Sequence, residues 1–114
     1  MHILPYKELP TQEFDDGQMK KVTMRIAAGP EHGAPNFVMR VFSIEPGGHS
    51  THHAHEHEHE VFFHSGKGEI FYDGQTREIG AGHVAFIAPN AVHQIRNTGS
   101  ETLTFVCVVP LGKN

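Results

Sequence analysis

The chain contains 114 residues, of which 38% are apolar, and it carries a formal net charge of −4 with its histidines neutral. This length and composition predict one globular domain over residues 1–114 and argue against a disordered chain. There is no stripe of lysine and arginine, which argues against a nucleic-acid partner. There is also no run of eighteen apolar residues, which argues against a membrane span.

A single cysteine, Cys107, excludes an internal disulfide, so the fold needs no oxidising compartment. The first ten residues lack the basic and apolar segments of a signal peptide. We therefore expect a cytoplasmic protein.

Short runs rich in β-branched and aromatic residues begin near residue 20, and turn-forming residues separate them. In chain order we predict strands at KKVTMRIA, NFVMRVFSI, EVFFHS, GEIFYD, QTREIG, HVAFIA, VHQIRN and LTFVCVVP. Residues 1–20 are the least regular part of the chain, and EPGG at 45–48 is predicted as a turn. Asp73-Gly74 is the strongest local signal, because Asp-Gly accepts the positive φ angles of a two-residue hairpin turn. About eight short strands without helical periodicity predict an all-β sandwich or small barrel.

A histidine-rich segment, THHAHEHEHE at residues 51–60, contains five of the eleven histidines. It is either a solvated strand edge or part of a metal site. In a strand, alternate side chains share a face, so His53 and His55 would lie on one side, about 7 Å apart. Strand twist or a turn after His55 could bring both imidazoles to one ion.

A complete site needs a donor from elsewhere in the chain. His57 and His59 have the same strand parity as His55, and Glu60 has the opposite parity, but four collinear residues cannot all reach one ion. The segment APNAVHQIRN offers His93 as a donor from another strand. Imidazole ligands suit borderline divalent metals, namely Mn, Fe, Co, Ni, Cu and Zn.

The spacing of these residues resembles a known family. EPGG followed by His53-x-His55 and then Glu60 resembles the first signature of the cupin superfamily, and PNAVHQIRN resembles the second. The two signatures occupy residues 45–68 and 82–97. Both depart from the common pattern in their turns, where the expected glycines are displaced or missing. More narrowly, residues 53–60 are similar to the H-x-H-x-x-E-H-E pattern of small single-domain prokaryotic cupins with a four-histidine, manganese-type site.

The resemblance implies a cupin double-stranded β-helix (jelly-roll barrel) and a homodimer. It also implies that His53, His55, His59 and His93 bind a divalent transition metal. Manganese is the first expectation and iron the second, with Ni, Cu, Zn and Co as alternatives. The commoner cupin pattern would use Glu60 as the third ligand. Strand parity and the narrower resemblance both favour His59.

Three further residues are candidates for a substrate pocket. Phe105 and Cys107 share a face of the last predicted strand, which is either a buried apolar layer or the barrel lumen beside the metal. Arg40 interrupts an apolar strand. Its guanidinium either reaches the rim or points into the pocket to hold an anionic substrate.

An octahedral ion with four imidazole ligands keeps two positions open, which predicts Lewis-acid or redox chemistry rather than a closed structural site. We expect a divalent-metal-dependent enzyme of oxygenase type that acts on a small organic substrate, with a metal-dependent isomerase or lyase as the enzymatic alternative. The alternative from another class is a non-catalytic protein that binds a small ligand or metal. A metal buffer should take up several ions per chain, whereas the enzyme should hold one.

Overall fold

The computed structural model describes residues 1–113 and consists mainly of antiparallel β-strands. The strands are β1 Gln12–Phe14, β2 Lys20–Ala28, β3 Phe37–His49, β4 His59–Ser65, β5 Lys67–Tyr72, β6 Gln75–Gly80, β7 Val84–Ile87, β8 His93–Arg96 and β9 Leu103–Pro110. Two 3-10 helices, Tyr6–Glu8 and Pro30–His32, are the only helical segments among these residues, and neither could cross a membrane. The all-β prediction is confirmed.

The strands form one curled sheet in the order β6-β5-β8-β3-β9-β4-β7, with β2 paired to β3 and β1 paired to β2. Strand β3 is central to this arrangement. It pairs with β2 along one edge, with β9 from Phe37 to Ile44 along the other, and with β8 at His49. Most neighbours in the sheet are therefore distant in sequence, as in a jelly-roll barrel.

The core follows from the two-residue period of the strands. In β4 the buried residues alternate with exposed ones, so that His59, Val61 and Phe63 point inwards. The most deeply buried side chains come from five strands: Val22, Val38, Ile44, Phe63, Ile87, Leu103 and Val109. Burial of each such side chain stabilises the fold by about 1.5–3 kcal/mol. The alternation that places Phe63 in the core also places His59 inside the barrel.

The hairpin predicted at Asp73-Gly74 is confirmed. Asp73 has a φ of 44° and Gly74 a φ of 87°, and the flanking residues Tyr72 and Gln75 pair across the turn between β5 and β6. Two consecutive positive φ angles are those of a type I′ turn, whose twist matches that of the strands it joins.

The turn predicted at EPGG is wrong, because β3 runs through these residues to His49. Gly47 adopts a φ of 84°, and a Cβ atom at Gly48 would collide with the carbonyl oxygen of Lys20. The pairing of β2 with β3 also shifts register here, between Lys20 and Val22. The two glycines therefore allow a local irregularity within one long strand instead of ending it.

Residues 1–20 are less irregular than predicted. Strand β1 lies within them and pairs with β2, with Gln12 opposite Met24 and Phe14 opposite Val22. A three-residue strand is too short to produce a recognisable alternation in the sequence. Its position becomes clear only from its partner.

Candidate metal centre

The histidines of the candidate site come from two separate segments. His53 and His55 lie in the connection between β3 and β4, His59 is the first residue of β4, and His93 is the first residue of β8. The backbones of His53 and His93 form an isolated bridge with hydrogen bonds of 3.1 and 2.9 Å. This bridge fixes the histidine-rich connection against β8.

The four histidines predicted as ligands converge. The ring centroids of His53 and His93 are 4.8 Å apart, those of His55 and His93 are 5.0 Å apart, and those of His59 and His93 are 5.3 Å apart. The Nε2 atoms of His55 and His59 are 2.8 Å apart. Donor atoms of His53, His55 and His93 lie within 4.8 Å of one another, a separation that one ion could span.

Three of the rings have a hydrogen-bond acceptor beside their Nδ1 atoms. The Nδ1 atom of His93 lies 2.9 Å from the carbonyl oxygen of Ala91, and Nδ1 of His55 lies 3.2 Å from that of His57. The Nδ1 atom of His59 lies 2.9 Å from the Sγ atom of Cys107. When Nδ1 donates to these acceptors, Nε2 carries the free lone pair, which is how outer partners orient histidine ligands in metal sites.

Burial favours the uncharged form of His53, His59 and His93. Burial, together with the smaller effect of the neighbouring imidazoles, lowers the pKa of His59 to about 3 and that of His53 to about 4. The pKa of His93 is lowered as well, chiefly by burial, although its hydrogen bond to Ala91 acts in the opposite direction. Metal binding requires neutral imidazole, so these residues are already in the state that a cation needs near pH 7.

The strand argument used for the histidine spacing is wrong in one respect. Residues 50–58 are not a continuous strand, and only the bridge at His53 has β geometry. His57 consequently joins the cluster, with its ring stacked on that of His55 at a centroid distance of 4.0 Å. Donor atoms of His55, His57 and His59 form a second group within 4.8 Å of one another. A connection that is not a straight strand can bring together side chains that a straight strand would hold too far apart to meet.

The alternative ligand, Glu60, lies apart from the cluster. It follows His59 in β4, so its side chain is on the outer face of the sheet, where it is exposed. Partial desolvation raises the pKa of Glu60, and a hydrogen bond and repulsion from Glu58 raise it further. Its partner is another carboxyl group and not an imidazole.

Comparison with known families agrees with this arrangement. The family model for the cupin domain matches residues 40–109, which include all four converging histidines. The chain belongs to the cupin family. The jelly-roll fold expected from the sequence resemblance is thereby confirmed.

Several relatives of this cupin have been described. A 1-methylthio-D-xylulose 5-phosphate methylsulfurylase from Rhodospirillum rubrum is 32% identical over 71 residues, which are 62% of this chain and 46% of that protein. The chain therefore spans less than half the length of this relative. The polyketide cyclase RemF from Streptomyces resistomycificus superposes with a TM-score of 0.89 at 27% identity, over 96% of this chain and 79% of the other. A predicted oxalate decarboxylase from Thermotoga maritima superposes with a TM-score of 0.84 at 26% identity. The match covers 96% of this chain and 98% of the other.

The four converging histidines line a pocket of about 480 Å³. Arg40, Phe105 and Cys107 all line it, so the structure places the three predicted pocket residues beside the histidines. Burial raises the pKa of the Cys107 thiol, while the nearby Arg40 guanidinium lowers it. Arg40 donates from Nη2 to Sγ of Cys107 at 3.4 Å, and its guanidinium carbon lies 5.1 Å from the centre of the Phe42 ring.

Part of the pocket was not predicted from the sequence. An apolar wall comes from β1, β2 and the residues between them: Phe14, Met19, Met24 and Ile26. Alternation in β2 could have indicated that Met24 and Ile26 share a face with Val22. No local pattern indicates that this face covers the histidines, because that depends on the pairing of β2 with β3.

The donor set of this cupin fits a divalent transition metal. Cupins usually bind such a metal, and the converging groups here are neutral imidazoles, which suit borderline cations and leave the full charge on the ion. Among the described residues that line the pocket there is no aspartate or glutamate.

Proposed function

We propose that this cupin is a divalent-metal-dependent enzyme of oxygenase type that acts on a small organic substrate, with manganese as the first candidate metal and iron as the second. His53, His55, His59 and His93 are the proposed ligands. The observation that carries the proposal is the convergence of these imidazoles at one end of an open pocket, where a substrate could approach a metal. A closed structural site would have no such access.

The groups around the proposed centre would bind the metal, orient its ligands or exclude water. A divalent ion supplies Lewis-acid or redox chemistry when bound. His93 and His53 secure the site through their backbone bridge, and Cys107 orients His59 through Nδ1. The apolar wall excludes water from one side of the substrate. No carboxylate among the described lining residues is available as a general base, so any proton transfer falls to the histidines or to the substrate itself.

A non-redox reaction is the second candidate. It is favoured by the likeness in fold and sequence to proteins described as a polyketide cyclase and a predicted oxalate decarboxylase. Four neutral ligands leave the ion strongly electrophilic, which would assist enolisation, cyclisation or loss of carbon dioxide without an external oxidant. Fold alone does not choose between these reactions.

A non-catalytic role is the third candidate. A metal buffer would use the additional histidines His49, His52 and His57. Of these, His57 belongs to the second donor group, whereas His49 and His52 are in neither donor group of the described chain. His49 instead contacts Gln94 and its neighbour's backbone, and His52 packs against Phe71. The placement of His49 and His52, and the sharing of His55 by both donor groups, support one ion per chain.

The candidates are separated by metal analysis followed by a turnover screen. Protein expressed without a tag is loaded with manganese or iron, and its metal content is measured by mass spectrometry. Catechols, β-dicarbonyl compounds and small carboxylic acids are then supplied with and without oxygen. Substrate-dependent oxygen consumption supports the oxygenase, and turnover that is equal without oxygen supports the non-redox enzyme. One bound ion without turnover supports a binding protein, whereas several ions support a buffer.

We also propose a homodimer that forms through the outer face of β4 and β7. Phe62, Val84 and Phe86 are 48%, 76% and 58% exposed, and Phe62 lies directly opposite Val84 in the sheet. Large apolar side chains that adjoin one another on a surface are typical of protein interfaces. A second copy would cover them across a two-fold axis.

A further inference from the structure

Arg40 is a charged side chain that lines the pocket and has few hydrogen-bond acceptors around it. The residue is half-buried, and its Nε atom is buried without a hydrogen-bond partner among residues 1–113. Arg40 donates a hydrogen bond to the Sγ atom of Cys107, which is a weak acceptor, and the ring of Phe42 gives only a cation–π contact. A guanidinium offers five donors in a planar fork, so most of its capacity is unused.

The pocket supplies no opposite charge to this guanidinium. The described lining residues include Arg40 and Lys113 but no carboxylate, and the one salt bridge within residues 1–113 joins Arg96 to Glu69, which do not line the pocket. Partly buried cations without a partner produce a positive potential that attracts anions. The charged side chains among the described lining residues, Arg40 and Lys113, are both cations, which favours an anionic ligand.

The remaining lining residues restrict what kind of anion could bind. The apolar wall includes Phe14 and Met24, and Phe42 lines the same pocket. The cavity volume of about 480 Å³ lies within the range of about 300–1,000 Å³ that is typical of small-molecule sites. Inorganic anions would leave this wall in contact with water. An organic anion with an apolar or aromatic body would cover it.

We propose that Arg40 is a specificity-determining residue that pairs with the carboxylate, or a comparable anionic group, of a substrate whose apolar body packs against Phe14, Met24 and Phe42. This inference rests on the proposed function for the identity of the pocket as the substrate site. The guanidinium is linked to the metal centre through Cys107, which contacts both Arg40 and His59. An anion held by Arg40 would thus be close to the proposed ligands.

The test compares two probes that differ in charge. Binding of 2-naphthoate and of the neutral 2-naphthylmethanol is measured by calorimetry on the protein as isolated, with the metal content of each variant determined. Arg40→Met retains an apolar stem but removes the charge, and Arg40→Lys retains the charge without the fork. Arg77→Met is the matched control, because Arg77 is exposed on β6 and does not line this pocket.

We expect Arg40→Met to weaken naphthoate binding by about 10–100-fold, as for loss of a charged hydrogen bond, and to change naphthylmethanol binding by less than about three-fold. Arg40→Lys should lie between wild type and Arg40→Met, and Arg77→Met should match wild type. Equal losses for both probes in Arg40→Met, or no loss for either, would overturn the inference. If Arg40→Met does not fold, Arg40→Lys and the preference of the wild type for naphthoate decide the question.

This readout does not require turnover. Protein without enzymatic activity that still selects naphthoate through Arg40 would contradict the proposed function alone. An active enzyme that binds both probes equally would contradict the inference alone.

Discussion

His59 and Glu60 are adjacent in β4 but lie on opposite faces of the sheet, so a matched pair of substitutions can separate their roles in metal binding. We consider His59→Gln and Glu60→Gln, which introduce the same side chain on the inner and the outer face. The inner position is 6% exposed and its Nε2 atom lies 2.8 Å from that of His55. The outer position is exposed and contacts Glu58.

The magnitudes follow from these positions. Loss of an outer partner of a metal ligand weakens metal binding by about 10–100-fold, and loss of a direct ligand should exceed that range. We therefore expect His59→Gln to weaken manganese binding by more than about 100-fold. An exposed charge contributes about 0–1 kcal/mol, so Glu60→Gln should change the affinity by no more than about five-fold.

The assay is competition for manganese against a chelator of known affinity, with circular dichroism to verify that both variants fold. His59→Gln also removes the partner of Cys107, so a modest loss of stability of about 1 kcal/mol is expected and does not affect the comparison of folded proteins. A larger loss of affinity in Glu60→Gln than in His59→Gln would refute the four-histidine assignment and restore the carboxylate as third ligand.

Four further outcomes are expected. His93→Ala should lose most of its bound metal by mass spectrometry, because His93 is the donor from the second segment; unchanged content would contradict the site. His57→Ala should retain one ion per chain, and loss of that ion would mean that His57 is a ligand. Metal-free protein should melt at a lower temperature at about pH 5 than at about pH 7.5. In the folded protein the pKa of His53 is about 4 and that of His59 about 3, whereas the imidazoles of the unfolded chain have a pKa of about 6.5. The unfolded chain therefore binds more protons in this pH range, which destabilises the fold at the lower pH. Equal melting temperatures would contradict this expectation. Phe62→Glu should convert a dimer into a monomer in light scattering, and an unchanged dimer would place the interface elsewhere.

The strands from β2 to β9 could be predicted because their signals are local. Alternation between buried and exposed residues marks β4, and Asp73-Gly74 marks the turn between β5 and β6. The two histidine segments could be recognised for the same reason, since the spacing of His53 and His55 and the position of His93 are visible in the sequence. Where local signals misled, as at EPGG, a glycine pair accommodated an irregular strand pairing that the residues themselves do not reveal.

The three-dimensional arrangement added what depends on contacts between distant residues. The apolar wall exists because β2 pairs with β3, and His57 joins the cluster because the connection before β4 is not a strand. The contacts from Arg40 through Cys107 to His59 join three strands that are separated by up to 67 residues along the chain. Periodicity indicates which face of its own strand a side chain occupies, but strand pairing fixes which side chains from different strands meet, and the chemistry of this pocket arises where they meet.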